Sequence, residues 1–100
     1  MTRETESKII RKAAQAFISA GYSIRVHDGC EFATGLTTKV SEIMGECFAT
    51  DTTIFRVYGS DGKQAGWVQF IHGNGIDVIH DYTCNLDSIM QPVSEYSETL

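Results

Sequence analysis

Apolar residues recur along the chain with two different periods. From Glu4 to Ala20 they fall every third or fourth position: Ile9, Ile10, Ala13, Ala16, Phe17 and Ala20 make one stripe, with Lys8, Arg11, Lys12, Gln15 and Ser19 opposite. This predicts an amphipathic helix, N-capped by Thr2 and stopped by Gly21 in a left-handed cap. Tyr22 to His27 then alternates and predicts a half-buried strand, ended by Asp28-Gly29. Cys30 to Leu36 shows no period and reads as loop. Thr37 or Thr38 opens a second helix toward Ala49, with Val40, Ile43, Met44, Cys47 and Phe48 on its apolar face and Gly45 on its polar side.

Residues 51–83 carry the strongest strand signals. Thr53–Tyr58, Ala65–His72 and Asp77–Thr83 are rich in β-branched and aromatic residues and are joined by two glycine-bearing turns, Gly59-Ser60-Asp61-Gly62-Lys63 and Gly73-Asn74-Gly75. Closing these turns without irregularity sets Phe55 opposite Trp67 and Val57 opposite Ala65, and puts Trp67, Gln69 and Ile71 on one face with Tyr82, His80 and Val78. A last helix is expected from an Asn85 cap, with Leu86, Ile89, Met90, Val93 and Leu100 on its apolar stripe and a kink at Pro92. The order α-β-α-β-β-β-α describes a single α+β domain spanning residues 1–100, an antiparallel sheet packed by helices. Both sheet faces would then bear large apolar groups, which suggests a homodimer wherever helices cover only one of them.

Composition changes this picture little. Hydrophobic residues at 42% and charged residues at 21% are ordinary for a soluble globular protein. No apolar run reaches the roughly 20 residues of a membrane span, and the first residues lack the apolar core of a secretory signal, so a cytoplasmic protein is expected. Three cysteines, Cys30, Cys47 and Cys84, at unpatterned spacings are expected to be reduced thiols.

Charge matters more. The formal net charge is −5, yet Arg3, Lys8, Arg11 and Lys12 outnumber Glu4 and Glu6 at the start of the chain. From Asp77 onward come Asp77, Asp81, Asp87, Glu95 and Glu98 with no Lys or Arg. Such a balance speaks against nucleic acid as the main ligand, because phosphate affinity comes from Lys and Arg. It fits a basic protein partner or simply solubility, and the basic stripe of the first helix reads as a solvated face or, alternatively, as a contact for an acidic partner.

The catalytic and metal readings are thin. His27, His72, His80, Cys30 and Cys84 are zinc-ligand types, but neither His27-x-x-Cys30 nor His80-x-x-x-Cys84 is paired with a second motif, and no metal or cofactor is expected. His80 and Cys84, like Asp77 and Asp81, would lie about 13 Å apart along an extended strand, too far for a nucleophile–base pair or paired carboxylates. The aspartates read better as a solvated strand edge. Gly73-Asn74-Gly75 can present N–H groups to an anion, but it lacks the lysine and following helix of a phosphate loop and reads as a turn. Trp67 and Tyr82 are natural interface anchors if exposed.

The succession Ala20-Gly21-Tyr22-Ser23-Ile24, Asp28-Gly29, Asp61-Gly62-Lys63, Gly66-Trp67-Val68, Gly73-Asn74-Gly75 and Asp81-Tyr82-Thr83-x-Asn85-Leu86 resembles small uncharacterised proteins of phages and proteobacteria. The resemblance implies a compact accessory protein, of the format of anti-CRISPR inhibitors, that binds and blocks a host or defence protein. It brings no catalytic residues. The expected function is therefore a non-catalytic protein-binding module, with Arg3, Lys8, Arg11, Lys12, Trp67, Asp77, Asp81, Tyr82, Asp87, Glu95 and Glu98 as candidate contacts. The alternatives are a small hydrolase or ligand-binding enzyme using Cys84, His80 or Asp81, and a structural or assembly component.

Overall fold

Four strands form one antiparallel sheet in chain order: β1 (Ser23–His27), β2 (Thr52–Tyr58), β3 (Gln64–Ile71) and β4 (Ile79–Tyr82). Three helices accompany it: α1 (Thr2–Ser19), α2 (Val40–Gly45) and α3 (Asp87–Glu98). The computed structural model describes residues 2–28, 35–48 and 51–100. The expected α+β order holds, and the apolar stripe of α1 is buried, with Ile9, Ile10, Ala13, Ala14 and Phe17 fully covered. Ala20 falls outside the helix and is exposed. Gly21 supplies the left-handed turn at φ 94°.

Strand register departs from expectation in an instructive way. Gly59 and Lys63 close the first turn as expected, with Gly62 at φ 80°, and Tyr58 pairs Gln64. The next pair is Val57 with Gly66, so Ala65 is an extra residue, a bulge that inverts the facing of everything beyond it. Phe55 therefore sits opposite Val68, and Trp67 opposite Arg56 on the other face, not opposite Phe55. The second hairpin repeats the device. Phe70 pairs Ile79 but Gln69 pairs Asp81, which makes His80 the extra residue and turns Tyr82 toward Val68 rather than toward Trp67. A period of two cannot reveal such insertions, because each residue on either side of a bulge still alternates.

The bulges sort the sheet cleanly. Ile24, Val26, Phe55, Val57, Val68 and Phe70 face a single cluster with the buried residues of all three helices. Phe55 and Phe70 meet edge to face at 5.0 Å between ring centres. Ile54, Tyr58, Trp67 and Ile71 lie outside that cluster, half-buried on the opposite face. Gly66 is buried where β3 passes under the α3 entry. A Cβ there would meet the Thr83 hydroxyl, and Leu86 Cδ1 at 2.9 Å.

Element boundaries shift for local reasons. Thr37 does not open α2; it bridges to Ile24 on the outer edge of β1, and its hydroxyl accepts the Lys39 N–H and donates to Glu42. The helix ends at Gly45, short of the expected Ala49, which lies outside the described residues. A 3-10 turn, Gly75–Asp77, delays β4, so Asp77 is not in a strand. A second 3-10 turn, Cys84–Leu86, precedes α3, and Asn85 is no cap: its amide donates to the Ala65 carbonyl at the first bulge. α3 continues through the exposed Pro92 as one helix, and Leu100 lies beyond it, 44% exposed.

Candidate functional site

Beside β4 the fold gathers most of the acidic residues of the C-terminal half around one groove of about 720 Å³. The 3-10 turn after Gly75 brings Ile76 and Asp77 to its wall, with Ile76 44% exposed. The His80 bulge swings Asp81 outward at the sheet edge, and α3 supplies Asp87 from its first turn and Glu98 from its last. Asp77 and Asp81, expected to share a strand face, thus meet at the groove by another route. No Lys or Arg is among the described residues that line it.

Tyr82 and Asp87 join the two sides. The Tyr82 phenol donates to Asp87 Oδ1 at 2.5 Å, and this bond holds the phenol in its neutral form, above its ordinary pKa of 10.0; partial burial and the charges of Asp87, Cys84 and Asp81 add to the effect. Asp81 Oδ1 accepts the Tyr82 backbone N–H at 2.8 Å. With Thr83 N–H donated to Trp67 on β3, that of Tyr82 points away from the sheet, so Asp81 caps the outer edge of β4.

The remaining sequence candidates divide between other surfaces. Arg3, Lys8 and Arg11 lie along a second groove, between α1 and α2, where the Arg3 guanidinium sits 4.8 Å above the Phe48 ring. Lys12 parts from them and reaches over Tyr96 of α3 at 5.4 Å. Glu95 is exposed on α3 and does not line the acidic groove. Trp67 is half-buried on the outer sheet face, where it forms a shallow hollow of about 210 Å³ with Ile54, Arg56 and Gln69. Arg56 Nε is closed off there without a hydrogen-bond partner among the described residues.

His80 and Cys84 both line the acidic groove, exposed, because the chain folds into a 3-10 turn after Thr83; no hydrogen bond between them is among those described. Cys47 is different. Burial, with help from Glu46, pushes its thiol up to about 12, and its S–H donates to the Ile43 carbonyl. Cys30 lies outside the described residues. Among those described, no three His, Cys, Asp or Glu residues are grouped to hold a metal ion.

One polar network was not anticipated. Glu6 is 1% exposed, and its carboxylate accepts the backbone N–H groups of Gly73 and Gly75 and the Nδ1–H of His72. His72 Nε2 is 2.7 Å from the Thr53 hydroxyl, and its ring stacks on Phe48 at 4.3 Å. The glycine turn does bind an anion, but the anion is part of the chain. Glu–His–Thr is a relay order used in catalysis, yet Thr53 is 2% exposed and lines none of the described grooves, so the network acts as a clamp. The signal was present: Glu6 falls in phase with Ile9, Ile10, Ala13 and Phe17, a carboxylate on the stripe that must be buried.

No protein-family model, curated protein or solved structure matches the chain.

Proposed function

We propose that the protein is a non-catalytic binding module whose acidic groove, between β4 and α3, takes a basic segment of a partner protein. The observation that carries this reading is the convergence of Asp77, Asp81, Asp87 and Glu98 from separate elements onto one groove without a lysine or arginine, with the exposed Ile76 and the Tyr82 ring as apolar footing. Carboxylates so placed steer a cationic partner and repel a polyanion. In its narrower form the reading makes the protein a phage-derived inhibitor that acts in the host cytoplasm on a host or defence complex; this rests on the resemblance of its turn motifs and on its size. The outer sheet face around Trp67 is the surface a second copy would use, and a monomer mass by light scattering at tens of micromolar would remove that part. No described helix is long and apolar enough to cross a membrane.

The test is capture by the tagged chain from host lysate, run beside an Asp77→Asn, Asp81→Asn, Glu98→Gln variant. One stoichiometric protein, retained by the natural chain, cross-linked to a probe at position 76 and lost by the variant, is the expected result. Equal capture by both chains would overturn the assignment of the groove.

A second reading has one observation in its favour: His80, Asp81 and Cys84, the residues a small hydrolase would use, share the wall of this same groove. An activated Cys84 would react with a disulfide reagent far faster than an ordinary thiol of pKa about 8.5.

A further inference from the structure

The second groove, between α1 and α2, has a different chemistry. Its volume is about 430 Å³; Arg3, Lys8 and Arg11 stand along one side, and Met44, Gly45 and Phe48 belong to the other. The three cations are exposed, in a chain whose net charge is −5.

Gly45 is the telling residue. It ends α2 without a positive φ, so the backbone does not require glycine, and a Cβ built there meets nothing within 4 Å among the described residues. Alanine would favour the helix. Gly45 thus leaves this part of the groove wall low. Phe48, on the same wall, holds φ 69°, unusual for a bulky residue, and contacts both the Arg3 guanidinium and the His72 ring. The apolar wall is thus fixed in advance of any ligand.

We infer that this groove binds an acidic segment of a protein, an apolar side chain seated between Gly45 and Phe48 and flanking carboxylates meeting Arg3, Lys8 and Arg11. Charge complementarity selects the sign of the occupant. A nucleic-acid backbone fits less well: the Glu4 carboxylate also lines the groove, the rest of the chain repels polyanions, and the apolar wall has no use for phosphates. This surface is separate from the acidic groove, and neither proposal depends on the other.

The probe is a fluorescein-labelled peptide of Glu-Glu-Leu-Phe repeats, compared with a Gln-Gln-Leu-Phe peptide and with oligothymidylate, followed by anisotropy and by amide shifts in labelled protein. Binding of the acidic peptide should shift the amides of Met44, Gly45 and Phe48. Gly45→Leu fills the groove and should weaken binding about tenfold or more, as loss of a central apolar seat does, while its melting temperature stays at or above that of the natural chain. Lys8→Glu with Arg11→Glu should abolish binding. No shift at these amides, undiminished binding to Gly45→Leu, equal binding of the uncharged peptide, or tighter binding of oligothymidylate would each overturn the proposal.

Discussion

Glu6 Oε2 accepts the backbone N–H of Gly75 at 2.9 Å across 69 positions of sequence. This bond and its neighbours tie the first turns of α1 to the turn that leads into β4, the turn from which Ile76 and Asp77 reach the acidic groove. Glu6→Ala leaves two glycine N–H groups and His72 without their acceptor. The expected loss is about 3 kcal/mol, from charge-assisted hydrogen bonds removed in a buried place. Glu4→Ala, two residues earlier and exposed, should stay within about 0.5 kcal/mol. Urea unfolding of both variants checks the contrast.

Gly66→Ala should be comparably damaging for a steric reason. The added methyl enters space held by the Thr83 hydroxyl and Leu86, and that hydroxyl also accepts the Trp67 N–H at 3.2 Å. Neither neighbour can retreat without opening the β3–α3 junction, so the cost should be about 2–3 kcal/mol. Thermal unfolding reads it directly, and a melting point within a degree or two of the natural chain would show that the junction yields.

Tyr82 should titrate later than an exposed tyrosine. Asp87 holds its phenol neutral, so near-ultraviolet absorbance during alkaline titration should show Tyr82 ionising above the ordinary value of 10.0, and Asp87→Asn should bring it back toward that value. The sign for stability follows. A phenol whose folded pKa is raised contributes fully below its unfolded value and loses that contribution as pH climbs through the folded one. Cys47, at about 12 folded against 9.0 ordinarily, acts in the same direction, so stability should decline progressively above pH 9.

Thiol labelling separates the cysteines. In a Cys30→Ser background Cys84 should be labelled in the folded protein, being exposed, whereas Cys47 should react only on unfolding. Immediate labelling of Cys47 would contradict its burial.

The helices and the two hairpins could be read from sequence because each is specified locally: the stripe from Ile9 to Phe17 by its period, and the turns by Gly62, Gly73 and Gly75, all of which adopt positive φ. The facing of Trp67 could not, because it depends on a single extra residue, Ala65, whose carbonyl is claimed by Asn85 from 20 positions away. The acidic members of the groove were visible as an uneven run of charge. Their convergence was not, since it depends on the His80 bulge and the 3-10 turns at Gly75 and Cys84, which leave no periodic trace. Glu6 is hidden for a different reason: in the charge balance at the start of the chain it counts only as an acid set against Arg3, Lys8, Arg11 and Lys12, which masks its phase with the buried stripe.

Each margin of the sheet is closed from within at one position. On β1 the N–H and C=O of Ile24 are bonded to Thr37, and on β4 the outward N–H of Tyr82 is taken by Asp81. At these positions no other polypeptide can lie alongside and continue the hydrogen-bond ladder, so the fold offers little template for fibril growth. A partner of the kind proposed would be met at these two points by side chains, not by an added strand.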